Sequence, residues 1–222
     1  MSSLRTFSDL KARERQNRQN IIIDAAERVF ASKPFDAVSM RDIACEAGIS
    51  HATIYRYFPD QQTLFMEAFL RGVEEVLPRI EEAARKNPDE SVGAAADAFI
   101  GFLSEKKHYF KMMTYFMLDG ALNPELLEKL HAAGRLILDR FERLLKERGS
   151  VTEPRIFAHA FFASLNGILI TFRDFPGRSG EEVQQHMKVL GRVVARLFEQ
   201  GMEKAGLAVY GRGRNPGDEE ST

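Results

Sequence analysis

The sequence predicts an all-α protein of about nine helices: a three-helix N-terminal head with a helix-turn-helix, and a larger helical body. Three observations predict this. Apolar residues recur at spacings of three and four along most of the 222 residues. Period-two alternation, the mark of a half-buried strand, persists nowhere. Two short periodic segments near the N-terminus are joined by a tight turn on Gly48.

The elements follow in order. A first helix is expected from Ser8 to Ser32, with Ile22, Ala25, Ala26, Val29 and Phe30 on one face and Pro34 as its stop. Its first half is polar and basic and is expected to project from the core. Ser39 opens a second helix, with Asp42 placed to complete a capping box. Gly48 ends it as a left-handed C-cap, and Ser50 caps a third helix. These two helices are expected to run about eight residues each. A fourth helix runs from Asp60 to Lys86, with Pro78 inside it predicting a kink. Further helices are expected at Asp89–Ser104, Lys107–Leu118, Pro124–Arg148, Pro154–Phe175 and Glu181–Lys204. Residues 1–58 form the head, 59–205 the body, and 206–222 an expected disordered tail rich in glycine and acids.

Composition narrows the class. Hydrophobic residues make up 44% of the chain, enough for a packed core. Cys45 is the single cysteine, which excludes an internal disulfide framework and a cysteine-cluster metal site. It is expected to be partly buried in the second helix. No histidine pairs at i, i+4 with another ligand, and no phosphate loop, nucleophile elbow or triad signature is present. No enzyme, cofactor or metal is therefore expected. The first ten residues lack the apolar core of a signal peptide, and Ile156–Phe172, the most apolar stretch, is too short to span a bilayer. A cytoplasmic protein without a membrane partner is expected. Net charge is −1, yet residues 1–18 hold Arg5, Lys11, Arg13, Arg15 and Arg18 against only Asp9 and Glu14. A basic N-terminus ahead of an acidic body is a weak nucleic-acid signal.

The stronger signal is the helix-turn-helix. Ile43, Ala44, Ala47, Ile49, Ile54 and Phe58 supply a buried seam, and the alanines let the two helices approach closely. The third helix then presents His51, Thr53, Arg56 and the hydroxyl ends of Tyr55 and Tyr57 on its other face. Such a helix lies in the major groove with its N-terminal residues at base edges. Ser39 and Ser50 stand at helix N-termini, where free N–H groups favour phosphate. Arg41 suits bidentate contact with guanine. Singly, each residue is more simply a cap, a half-buried aromatic or a solvated arginine. The shared spacing is what points to double-stranded DNA.

The run Ser39-Met-Arg-Asp-Ile43-Ala44-Cys-Glu-Ala47-Gly48-Ile49-Ser50-His-Ala-Thr53-Ile54-Tyr55-Arg56-Tyr57-Phe58 resembles the signature of TetR-type (tetracycline-repressor-like) regulators. The resemblance is detailed over about residues 20–65 and elsewhere extends only to helix number and length. It implies a nine-helix, two-fold dimer with DNA-binding heads and ligand-binding bodies. It also implies phosphate contacts from Ser39 and Tyr57, and Arg41, His51, Thr53 and Tyr55 at or near bases. Two positions depart from the pattern. Ala52 stands where the family often has glycine, and its methyl can meet a thymine methyl. Gln61 stands where the family usually has a phosphate-binding lysine; glutamine can hydrogen-bond phosphate but carries no charge.

The body suggests a pocket and a dimer face. Phe99, Phe102, Leu103, Phe110, Met113, Met117, Leu130 and Phe162 are candidate apolar lining, with His131, His159 and Asn166 as polar anchors for a small apolar effector. Plain core packing is the alternative for each. Val183, Met187, Leu190, Val194, Leu197 and Gly201 recur at about heptad spacing. Gly191 and Ala195 in that helix, and Ala160, Ser164 and Gly167 in the one before, are small enough for close approach in a homodimer. The expected function is a ligand-released repressor on a palindromic operator. The rival is the same fold acting through a protein partner without DNA.

Overall fold

The computed structural model describes residues 7–118, 122–149 and 153–204. Among them are nine α-helices, two 3-10 turns and no strand. The helices are α1 (Phe7–Ser32), α2 (Met40–Glu46), α3 (His51–Ile54), α4 (Gln61–Lys86), α5 (Ser91–Glu105), α6 (Lys107–Leu118), α7 (Pro124–Arg148), α8 (Pro154–Phe172) and α9 (Gly180–Lys204). The expected tail, 206–222, lies outside the described residues.

The boundaries follow local chemistry. The Asp60 carboxylate accepts from the Thr63 N–H at 2.7 Å and caps α4. Asn123 does the same for α7 through the Leu126 N–H at 2.9 Å. Before α9, Ser179 and Glu182 form a reciprocal box: Ser179 N–H to Glu182 at 2.8 Å, and Glu182 N–H to the Ser179 hydroxyl at 3.2 Å. Pro154 occupies the first turn of α8, where its missing N–H costs nothing. That helix ends at Phe172 and not Phe175, because the Phe175 N–H bonds the Phe172 carbonyl in a tighter turn. Likewise α5 begins at Ser91, after a 3-10 turn over Pro88–Glu90.

The chain divides into two compact units, Met1–Arg79 with Gly101–Ile137 and Ile80–Ile100 with Leu138–Thr222. The boundary inside α4 follows Pro78 by one residue, and α4 remains helical through it.

In the first unit, Ile22, Ala25, Ala26, Val29 and Phe30 of α1 are buried together with Ile43, Ala44, Ile54 and Phe58. The Phe30 and Phe35 rings each lie 4.6 Å from Phe65, and Phe116 lies 5.0 Å from it. A half-buried polar cluster accompanies this aromatic core. Arg71 of α4 reaches Glu27 of α1 at 2.7 Å and Asp24 at 2.6 Å, and the Tyr109 hydroxyl of α6 donates to Glu27 at 2.5 Å.

In the second unit, Phe99, Phe141 and Phe161 are buried with edge-to-face contacts: Phe99–Phe141 at 5.9 Å and Phe141–Phe161 at 5.2 Å. A Cβ at Gly191 would lie 2.7 Å from Ile100 Cδ1, so α9 packs closely there and a larger residue would displace the Ile100 side chain. Among the described residues α8 is the one helix long and apolar enough to cross a membrane, with a third of its length buried. The outward face of α8 is also apolar: Ala160, Ala163, Gly167 and Ile170 are exposed.

Candidate nucleic-acid interface

The head is built around two capped starts and one left-handed glycine. Ser39 lies in extended backbone, and its hydroxyl accepts from the Asp42 N–H at 3.1 Å. Asp42 returns the contact, accepting from the Ser39 N–H at 3.0 Å and from the hydroxyl at 2.9 Å. These bonds, with Lys33 at 3.2 Å, hold the Asp42 carboxyl below its ordinary range. At the other end, Gly48 takes φ +66°. Its N–H bonds the Cys45 carbonyl at 3.1 Å, and the Ile49 N–H reaches back to Ala44 at 3.0 Å. That pair is a Schellman termination, and it sets the angle at which the chain leaves for α3. Ser50 then accepts from the Thr53 N–H at 3.1 Å and shares a 2.7 Å hydroxyl contact with Thr53.

The third helix is shorter than expected: four residues, His51–Ile54. Tyr55 is its C-cap, and the Arg56 and Tyr57 N–H groups bond carbonyls three residues back. The chain tightens so that Phe58 can drop into the core, where it is 2% exposed. Of the expected seam, Ile43, Ala44, Ile54 and Phe58 are buried, while Ala47 and Ile49 are half-buried.

Arg41, Ser50, His51, Ala52, Tyr55 and Arg56 are exposed, and Thr53 and Tyr57 half-buried, so this face is open to a partner. The His51 ring meets Tyr55 edge-on at 5.1 Å. Gln61 is half-buried at the start of α4. Its side-chain amide donates to the Phe35 carbonyl at 2.9 Å and ties the start of α4 to the turn after α1. Cys45 is exposed, which corrects the expectation of partial burial: it sits opposite the Ile43–Ala44 seam.

The basic segment near the N-terminus joins this surface. The α1 helix is continuous from Phe7, and it brings Lys11, Arg15 and Arg18 beside Arg56 and Tyr57 around a shared recess. The Arg15 guanidinium lies 5.6 Å over the Tyr57 ring. Glu14, bonded to Arg18, is the acid among these cations. The spacing i, i+4, i+7 of Lys11, Arg15 and Arg18 was the available signal.

The body residues divide by unit. In the first, Phe102, Leu103, Phe110 and Met113 are buried, Leu130 is half-buried, and Met117 and His131 are exposed. In the second, Phe99 is buried, Phe162 half-buried and His159 exposed. Asn166 is buried. Its amide donates to the Phe162 carbonyl at 2.8 Å, and its carbonyl oxygen has no partner. Met117, His131 and His159, expected at a pocket, are exposed on their helices.

The stripe expected at the dimer face divides between inward and outward residues. Met187 is 1% exposed and Gly191 is buried against Ile100 and Leu165 of the same chain, with Val183 and Ala195 on the same inward face. Leu190 and Val194 are half-buried. The outward apolar residues of α9 are Val189, Val193 and Leu197, with 43%, 47% and 61% exposure. On α8, Gly167 is exposed, while Ser164 is half-buried and donates to the Ala160 carbonyl at 2.8 Å. A glycine inside an apolar repeat marks close approach, but periodicity does not say whether to the same chain or another.

A capped helix-turn-helix on an otherwise helical chain defines a transcriptional regulator of the helix-turn-helix class. Residues 22–68 match the family described as bacterial regulatory proteins, tetR family. The HTH-type transcriptional regulator YfiR of Bacillus subtilis (strain 168) is 25% identical over 166 residues, covering 70% of this chain and 80% of that protein. The HTH-type transcriptional repressor KstR of Rhodococcus jostii (strain RHA1) is 32% identical over 82 residues, covering 37% of this chain and 39% of that protein. Among solved structures, the transcriptional regulator FadR from Bacillus subtilis in complex with stearoyl-CoA superposes with a TM-score of 0.67 at 20% identity, covering 82% of this chain and 97% of that one. Residues 22–68 thus match the DNA-binding segment of tetR-family regulatory proteins, and the chain shares the fold of solved TetR-family regulators. That family and these relatives are regulators, not enzymes.

Proposed function

We propose that this protein is a homodimeric repressor that leaves a near-palindromic DNA operator when a small, largely apolar effector binds its body. The observation that carries the reading is the exposed polar face of α2 and α3, held by two serine caps and the Gly48 turn. Arg41, His51, Ala52, Thr53 and Tyr55 face bases in this reading, and Ser39, Ser50, Arg56 and Tyr57 face phosphates. The Ser39 hydroxyl proton points to Asp42 in the free head, so a phosphate contact requires it to rotate. Gln61 is committed to Phe35, and Lys11, Arg15 and Arg18 supply the backbone charge that a lysine there would have given.

A dimer is supported by the uncovered apolar faces of α8 and α9. A second copy would bury Val189, Val193, Leu197 and Ile170, which are all substantially exposed in one chain. Two heads would then read half-sites ~34–36 Å apart or a multiple of that. An apolar effector is supported by the Phe- and Met-rich helices, and by the neighbour of the same fold that holds stearoyl-CoA.

Selection of bound duplexes from a random pool tests the reading. Enrichment of an inverted repeat, with binding that weakens as salt rises, is the expected result. Absence of any enriched sequence would favour the rival in which the head binds a protein partner.

A further inference from the structure

Within the first unit, α1, the 3-10 turn after it, α4 and α6 surround a cleft of about 340 Å³. Neither the helix-turn-helix face nor the proposed dimer face uses it. Its wall is aromatic. Phe35 lies 4.6 Å from Phe65 and 4.3 Å from Tyr115 between ring centroids, and Phe30 closes the group. The volume is at the small end of ligand sites, which run ~300–1,000 Å³. It suits one or two fused rings better than a long acyl chain.

The polar groups of the cleft select the charge. Lys33 and Lys111 line it, and the Lys111 ammonium has no ion-pair partner among the described residues. The Tyr115 hydroxyl has no hydrogen bond among them either. Asp36 is the carboxylate in the lining, and Lys33 is paired with Asp42, so Lys111 is the cation open to a ligand. His108 also lines the cleft, and its Nε2 is buried without a hydrogen-bond partner, 3.8 Å from Glu27. An aromatic wall beside an unpaired ammonium matches a flat anion.

We propose that this cleft is a ligand site for a compact aromatic carboxylate, whose ring stacks on Phe35 and Tyr115 and whose carboxylate is held by Lys111 and Lys33. The site has a direct route to the head. Lys33 is also the cation on Asp42, the acid of the α2 capping box, at 3.2 Å. A ligand carboxylate competes with Asp42 for Lys33, so occupancy is felt at the start of α2.

The test is calorimetric titration of the full chain with 2-naphthoate, with neutral 2-naphthamide as control. Binding to the native chain is expected to be saturable. Lys111→Met and the neutral amide should each weaken it by about tenfold or more, as loss of a charge-assisted contact does. Lys111 is exposed, so its replacement spares the fold. No saturable binding below about 1 mM, or equal affinity in Lys111→Met, overturns the site. Hydrogen exchange tests the coupling: 2-naphthoate should change protection in residues 39–46 of the native chain and not of Lys33→Met. Unchanged protection in the native chain overturns the link to α2. Neither readout uses DNA, so failure here is separable from failure of the operator reading.

Discussion

The Tyr109 hydroxyl donates to the Glu27 carboxylate at 2.5 Å and so joins α6 to α1, the helix that carries the head. Arg71 completes the contact from α4, at 2.7 Å from the same carboxylate. Glu27 is 14% exposed and Arg71 23%, so this is a largely buried pair with a hydroxyl in support. The Tyr109 hydroxyl is driven far above its ordinary range, by burial first and then by the Glu27 and Glu75 charges, and stays a donor. The two partners of Glu27 should therefore differ in weight. Arg71→Met strands a buried carboxylate and is expected to cost ~3–5 kcal/mol. Tyr109→Phe removes one hydrogen bond and should cost ~1–2 kcal/mol. Urea unfolding of both variants checks the order, and equal costs would contradict it.

Gly72 is the floor under the same ring. A Cβ there would lie 2.6 Å from Tyr109 Cδ1, with the ring itself buried. Gly72→Ala must push the ring away from Glu27, at an expected cost of ~1–3 kcal/mol. The cost should shrink in the Tyr109→Phe background, because the hydroxyl contact is already gone. A thermal-melt double-mutant cycle measures this, and strict additivity would argue against the coupling.

His108 gives stability a pH dependence with a definite sign. Burial is the main cause that lowers its pKa. Lys106 and Arg71 act the same way, and Glu27 and Glu75 oppose them. The unfolded chain takes up its proton near the ordinary 6.5, above the folded value. Between those two values the unfolded state binds more protons, so stability rises with pH. It is retained above about 6.5 and lost as pH falls toward the folded value. Asp97 is shifted upward by burial and works in the opposite sense, so the comparison must be with His108→Gln, not with a flat line. Denaturant midpoints at about pH 7.5 and 5.5 should converge in that variant relative to the native chain.

The head offers a contrast between strain and lost bonding. Gly48 has open space around its Cα, so Gly48→Ala is penalised only by its φ of +66°, at ~1–2 kcal/mol. Ser39→Ala removes the bond to the Asp42 N–H and should cost ~1 kcal/mol. Both variants should lower the melting temperature without loss of helix content by circular dichroism. A Gly48→Asn variant should recover part of the loss, since asparagine tolerates the left-handed region.

The two faces of α9 should separate association from folding. Val193→Lys charges an outward residue and is expected to give a monomer by light scattering with a near-native melt. Met187→Ala hollows the interior and should cost ~2–5 kcal/mol while the folded fraction still associates. A Val193→Lys protein that remains dimeric would place the interface elsewhere.

These residues also show how far the linear order reaches. The Ser39–Asp42 box, the Gly48 termination, the Ser50 cap and the proline positions in α4 and α8 were all legible in the sequence. Each depends on groups within three to five residues of one another, and backbone geometry dictates those contacts. The length of α3 was not legible, because Phe58 pulls the chain out of helix into a distant core. Nor were the roles of Gln61 and Cys45, or the inward turn of Met187 and Gly191.

By itself, then, the sequence determined the all-α class, nearly every helix boundary and the helix-turn-helix, through local hydrogen bonding and apolar period. Tertiary structure alone decided which face of each amphipathic helix is inside, as α9 shows with Met187 in and Val193 out. It also brought Lys33 beside Asp42 and Tyr109 beside Glu27, across 9 and 82 positions of chain. The reason is physical: periodicity states that a helix has an apolar stripe, and only packing against other elements states what that stripe meets.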